Sequence, residues 1–232
     1  MLRAVGLSVS RPPRVLLRGP RSQLRVQFEH LVALMMLTKP NLFFVQVGAF
    51  DGSTGDQLHG FVKRYNWQGI LLEPQERYFR ELKETYAGCN GLRLVNAALA
   101  ETPGERTLWT IDPDVGGLPD WAPQTATFDR QRLSAAGFGH AVRPERVRCT
   151  TFAELLDDVD EVDLLQVDTE GFDAEVIRMF DFDRYRPSIV RFENVTLSRR
   201  DHSRTVERLC SFGYAVAITG PDTIAWADPE PE

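Results

Sequence analysis

From Leu42 onward, short apolar runs alternate with helical patterns, and no other feature constrains the chain as strongly. The runs are LFFVQV, QGILLE, LRLVNAAL, VDLLQVD, PSIVRFEN and YAVAIT. Between them lie STGDQLHGFVKRY, PQERYFRELKETYA, FAELLDD, GFDAEVIRMF and SRTVERLCSF. Strands that are apolar on both faces need helices on both faces. The alternation therefore predicts an α/β protein with a mostly parallel, doubly wound sheet. The last strands differ: YAVAIT, a Gly220-Pro221-Asp222 turn and TIAWA predict an antiparallel hairpin and bring the sheet to seven strands.

Before Leu42 the pattern changes. Leu24, Phe28, Leu31 and Met35 mark one face of a helix over residues 22–38, stopped by Thr38-Lys39-Pro40. Ahead of it, Arg3, Arg11, Arg14, Arg18, Arg21 and Arg25 precede the first acid, Glu29. Taking these six positive charges from the net −6 leaves −12 for the remainder. Pro12, Pro13, Gly19 and Pro20 break any helix in residues 1–21, so this segment reads as a flexible tail; a transit peptide or a contact for anionic lipid or nucleic acid is the alternative. The acidic remainder argues against a nucleic-acid partner. No run reaches the roughly 18 apolar residues of a membrane span, and Cys89, Cys149 and Cys210 form no C-x-x-C pair, which suits a reducing, cytoplasmic compartment. Residues 22–232 read as one domain, interrupted at 112–144 by a Gly- and Pro-rich stretch of little periodicity, the expected place for a lid. Oligomeric state is not legible.

In open α/β sheets ligands bind beyond the carboxyl ends of the strands. The first strand ends Gln46-Val47-Gly48-Ala49-Phe50-Asp51-Gly52, where glycines let a ligand approach the backbone. Ser53 or Thr54 is placed to cap the next helix, with Asp56 in a capping box. The second strand ends at Glu73, suited to accept hydrogen bonds from both hydroxyls of a ribose; the third ends Asn96-Ala97-Ala98, suited to the edge of a base. Neither a third glycine at dinucleotide spacing nor a P-loop lysine is present to cradle phosphates. A nucleoside bearing a cation near Asp51, such as S-adenosylmethionine, fits this set; NAD is the rival cofactor, since Glu73 suits its ribose too.

Taken together, VQVGAFDGSTGD, LLEPQ, VNAALAE, LLQVDTEGFDAEVI and IVRFEN resemble, in order and spacing, the FkbM-type methyltransferases of the class I S-adenosylmethionine-dependent superfamily. The resemblance spans residues 42–200 and is sharpest at Asp168-Thr169-Glu170-Gly171-Phe172-Asp173. It implies a Rossmann-like fold and methyl transfer to a hydroxyl oxygen of a sugar, natural product or glycan. Gln46 stands where class I enzymes commonly carry an acid, and Asp173 where the family often has Glu.

On this reading the cofactor residues are Gln46, Gly48, Ala49, Asp51, Gly52, Glu73, Asn96, Ala97 and Asp168. Asp168, Glu170 and Glu193 surround the reacting centre, where a strand-end carboxylate can orient the donor or take the hydroxyl proton; Glu170 otherwise caps the following helix. Asp168, Glu193 and Asn194 resemble the oxygen set of catechol-type O-methyltransferases, which implies Mg2+ as an optional cofactor. His140, in the irregular stretch, and His202 can reach an acceptor or lie on the surface, and Trp109, Trp121 and Phe138 can wall its pocket. A non-catalytic binding or scaffold protein is the other reading, against which the intact Asp168-Thr169-Glu170-Gly171 segment argues.

Overall fold

The computed structural model describes residues 15–17 and 27–227. In chain order the elements are β1 (Val15–Leu17), α1 (Phe28–Thr38), β2 (Phe43–Val47), α2 (His59–Tyr65), β3 (Gln68–Leu72), α3 (Glu76–Thr85), β4 (Leu92–Val95), β5 (Ala98–Leu99) and β6 (Gly104–Ile111). There follow α4 (Arg130–Ala135), β7 (Val142–Thr150), α5 (Phe152–Leu155), β8 (Leu164–Val167), α6 (Asp173–Met179), β9 (Ile189–Glu193), α7 (Arg199–Ser211), β10 (Tyr214–Thr219) and β11 (Asp222–Ala227).

The main sheet runs β1-β10-β11-β9-β8-β2-β3-β4. All neighbours in it are parallel except β11, which lies antiparallel between β9 and β10. The seven expected strands and the terminal hairpin are thus present. An eighth was not expected: Val15–Leu17 pairs with β10 in parallel, within the segment read as a flexible tail. Without it β10 would be an edge strand with unpaired backbone groups, which pairing with the backbone of Val15–Leu17 removes. Residues 1–14 and 18–26 lie outside the described residues, and with them residues 22–26 of the expected 22–38 helix. Gln27 is extended and the helix begins at Phe28.

Alternation along each strand splits the core in two. Val45, Val47, Ile70, Leu72, Leu165, Val167, Val190 and Phe192 point to one face, under Phe152 and Leu155 of α5, Val176 and Ile177 of α6 and Val206 and Leu209 of α7. Phe44, Leu71, Leu164 and Ile189 point to the other, under Phe28, Leu31 and Val32 of α1, Val62 of α2 and Leu82 of α3. This two-sided cover is why the strands read as continuous apolar runs. Helix α7 shows how the sequence starts a helix: Ser198 accepts the Asp201 amide, Asp201 sits in the first turn, and Thr205, Val206 and Leu209 make the buried stripe.

A second sheet, β5-β7-β6, departs from the expected run LRLVNAAL. That run breaks after Val95, and Ala98–Leu99 leaves the main sheet to pair with the end of β7. The long β6–β7 antiparallel pair carries residues 112–141 at its tip. Those residues hold a 3₁₀ turn at Ala122–Gln124 and helix α4, and they bury a small core of their own: Ala122, Leu133, Phe138 and Ala141 with Ile111.

At Gly69 a Cβ would stand 2.5 Å from both the Cδ1 and the carbonyl oxygen of Phe44. Gly69→Ala must therefore push β3 off β2 or displace Phe44, a cost of about 1–3 kcal/mol. Thermal denaturation should show Tm lower by roughly 2–12 °C.

Candidate active site

Strands β2 and β8 lie side by side, and their connections leave to opposite faces, through α2 and α6. The crevice between those connections is where this architecture binds ligands. Gly48 makes the crevice possible. Its φ is +85°, and a Cβ there would lie 1.7 Å from the carbonyl oxygen of Asp168. The amides of Gly48 and Ala49 both donate to the Leu72 carbonyl, at 3.1 and 2.9 Å, and the Asp168 amide donates to Val47 at 2.9 Å. Phe50 adopts a left-handed φ of 48°, which brings its amide to the Glu73 carboxylate at 2.9 Å.

The crevice widens into a cavity with about 900 Å³ of empty space, the solvent at its open mouth included. Gln46, Gly48, Ala49, Glu73, Ala97, Asp168 and Glu170, all expected in the site, line it. So do Asp56, Gln166 and Phe172, and, from the inserted region, Leu108, Gln124, Ala126, Thr127 and Phe128. The insertion therefore forms its roof. Arg132 ties roof to floor, donating to the Gly171 carbonyl at 3.2 Å and, through a short bond, to that of Thr196. Gly171, at φ +103°, leaves the room: a Cβ would meet Arg132 Nη1 at 1.6 Å.

Glu73 is buried at 3% exposure, and burial pushes its carboxyl up to about 7 against the pull of the Phe50 and Gln75 amides. On the other side of the cavity Asp168 and Glu170, and behind them Glu193, which does not itself line it, each place a carboxylate oxygen within 4.8 Å of the others. Asp168 opens into the cavity, so water reaches it there, while protein atoms enclose it on its remaining sides. That enclosure, with Asp173 and Glu193 beside it, raises its carboxyl to about 8. The same causes lift Glu170 to about 9. Glu193 is raised by burial and accepts the Thr196 hydroxyl at 2.7 Å. Glu170 sits at a left-handed φ of 53° and makes no capping bond to α6; Asp173 instead accepts from the amides of Thr169 and Gly171 and the Thr169 hydroxyl. Three hard oxygens at this spacing can hold a divalent cation.

Several expected residues lie elsewhere. Asp51 does not reach the cavity, because its carboxylate accepts the amides and hydroxyls of Ser53 and Thr54 in its own turn. Ser53 and Thr54 hence cap nothing: α2 starts only at His59, and Asp56 turns inward. Gly52 packs against Leu82 and Tyr86, where a Cβ would come within 2.6 Å. Asn96 donates to the carbonyls of Glu73 and Pro74, holding the strand end from behind. Asn194 turns its amide to Thr223 and Gly220, so Glu170 takes its place beside Asp168 and Glu193. His140 is exposed and outside the lining, and His202 contacts Thr223 at 2.8 Å. Trp109, Trp121 and Phe138 do not line the cavity; Phe128 and Phe172, edge to face at 5.5 Å, do. The sequence did carry a signal for Gln166: FFVQV and LLQV each place one glutamine before a final valine, and the two are register partners.

The raised carboxyls set the sign of a pH effect. A group whose folded pKa exceeds its unfolded value stabilises the fold below the unfolded pKa and loses that contribution as pH rises through the folded one. Tm should thus fall as pH rises from about 4.5 to about 9, the unfolded and folded values for Glu170. Glu170→Gln should flatten the slope and melt higher than wild type at the alkaline end.

A search of curated proteins returned no match to the sequence. Among solved structures, the chain is similar to methyltransferase FkbM from Methylobacillus flagellatus KT, at 12% identity and TM-score 0.49, over 81% of this chain and 44% of that one. It is similar to precorrin-6y C5,15-methyltransferase from Geobacter metallireducens GS-15, at 15% and 0.45, over 90% and 93%. The N-terminal domain of human METTL16, in complex with SAH, matches at 13% and 0.46, over 97% and 77%. None of these likenesses bears on substrate. The family model of the methyltransferase FkbM domain matches residues 46–216, well over half the chain and the whole of the site. The chain belongs to the FkbM methyltransferase family.

Proposed function

We propose that the protein transfers a methyl group from S-adenosylmethionine to a hydroxyl oxygen of a small acceptor, a sugar or natural product. The observation that carries this reading is the set of ionisable side chains that line the cavity. Asp56, Glu73, Asp168 and Glu170 line it, and no Lys, Arg or His among the described residues does. Such a wall offers a pyrophosphate no cation to pair with, while its carboxyls, raised in the free fold, ionise against a donor that carries a sulfonium and, at its amino-acid end, an ammonium beside a carboxylate. The residues fit that donor along its length. Ala97, Ala98 and Leu99 offer a small apolar wall to the base. Each Glu73 oxygen keeps a lone pair for a ribose hydroxyl beyond its bond to Gln75 or Phe50. Gly48 and Ala49 present backbone to sugar and amino-acid portion.

Bound there, S-adenosylmethionine supplies an electrophilic methyl carbon. The protein's part is positioning and proton management. Gly48, packed on the Asp168 backbone, fixes the distance between donor floor and acceptor side. As the acceptor oxygen bonds to the methyl carbon and the sulfonium–carbon bond breaks to leave S-adenosylhomocysteine, Asp168 would take the hydroxyl proton while Glu170 beside it orients the acceptor. Residues 112–144 act as a lid that keeps water from the reacting atoms, with Arg132 as its tie. Three free cysteines support a cytoplasmic setting, and no helix among the described residues is long and apolar enough to cross a membrane.

Calorimetric titration with S-adenosylhomocysteine and with NAD tests the cofactor: the first should bind, and binding of NAD alone would sink the reading. Glu73→Ala should abolish S-adenosylhomocysteine binding. Asp168→Asn should lower kcat by about a hundredfold or more while changing that affinity far less. In a screen of sugars and hydroxylated natural products, kcat/KM for the methylated acceptor should rise with pH through the Asp168 titration near 8. Turnover unchanged from wild type in both variants would refute the site.

A further inference from the structure

Beneath the crevice lies a polar group that the transfer chemistry leaves unused. Gln46 of β2 and Gln166 of β8 are register partners on the face otherwise occupied by Phe44, Leu71 and Leu164, and each is only 2% exposed. Asp56, from the β2–α2 connection, stands against both. It accepts a hydrogen bond from the Gln46 side chain and from Gln166 Nε2 at 3.5 Å, along with the Leu58 amide at 2.8 Å and the Tyr86 hydroxyl at 3.4 Å. A carboxylate between two amides fixes their orientation, since it attracts both NH2 ends. Their carbonyl oxygens are left over: Gln46 Oε1 and Gln166 Oε1 are buried without a partner. Two orphaned acceptors in an apolar layer are costly unless something donates to them. All three residues line the cavity, so that donor can come from the ligand.

The geometry points to a primary ammonium. We infer that Gln46, Gln166 and Asp56 form a subsite for the α-ammonium group of the donor's amino-acid portion, Asp56 supplying the negative charge that Gln46 lacks. An ammonium carries three N–H donors and no acceptor. Two match the orphaned carbonyls and the positive charge matches the carboxylate. A phosphate, carboxylate or ether oxygen would find only acceptors. The acid expected at residue 46 is thus moved to residue 56, where the loop folds back over the sheet. This rests on the cofactor reading above, and its test separates the two.

Three probes are titrated calorimetrically into the purified protein: S-adenosylhomocysteine, its analogue lacking the α-amino group, and 5′-methylthioadenosine, which lacks the amino-acid portion. Wild type should prefer S-adenosylhomocysteine over the deamino analogue by about ten- to a hundredfold, the range for hydrogen bonds to a charged group. Asp56→Asn should erase most of that preference and leave 5′-methylthioadenosine binding unchanged. Gln166→Leu, which removes an orphaned acceptor and should fold readily, should also reduce the preference. Equal affinities of wild type for S-adenosylhomocysteine and its deamino analogue would overturn the inference alone. So would Asp56→Asn weakening all three probes alike, or Gln166→Leu raising Tm with the preference intact, as a purely structural role predicts. Failure of the folded wild type to bind any of the three would overturn the cofactor reading and this inference with it.

Discussion

The site depends on the contact of two backbones. Where β2 ends, Gly48 lies so close to the Asp168 carbonyl that any side chain would collide with it. That approach draws the two loops at the switch point together, and their divergence to opposite faces opens the crevice above them. It also sets Glu73 and Asp168 on opposite walls, the first through the Phe50 and Leu72 bonds and the second through the Asp168–Val47 bond. Backbone, rather than side-chain chemistry, determines the shape of the floor. Side chains then decide what the floor accepts.

Here those side chains are acids held at a cost. Asp168, Glu170, Asp173 and Glu193 crowd one wall, and burial together with mutual repulsion lifts the carboxyl of each above its ordinary range. Of these, Asp173 holds its own loop, one of its oxygens accepting from Thr169 and Gly171. Groups kept uncomfortable in the free fold are ready to accept a proton or a cation. The strained φ of Glu170 belongs to the same pattern of local strain at a functional loop.

How much of this was legible in the sequence follows from what each feature depends on. The parallel sheet and its terminal hairpin are written in local periodicity, so FFVQV, LLQV and IVRFE could be placed before any coordinates. Glu73, Gly48 and Asp168 are legible because they sit at strand ends, which topology alone directs to the crevice. Asp51, Asn194 and His140 mislead because they too are near strand ends or in the insertion, and only three-dimensional hydrogen bonding shows their side chains occupied or remote. Phe128, Gln124 and Thr127 were hidden for another reason: they reach the cavity through the β6–β7 ribbon, whose pairing joins residues far apart in sequence. The edge strand Val15–Leu17 was obscured by the prolines and arginines around it.

The tie between roof and floor differs in kind from everything beneath it. Arg132 bonds to carbonyl oxygens of residues 171 and 196, and neither a guanidinium nor a peptide carbonyl changes its proton count in ordinary solution. The carboxylates below can gain or lose protons and ligands while the anchor of the roof keeps the same bonding partners. The anchor of the roof therefore keeps a fixed positive charge beside groups that titrate, and that charge lowers the carboxyls of Glu170 and Glu193 against the burial that raises them.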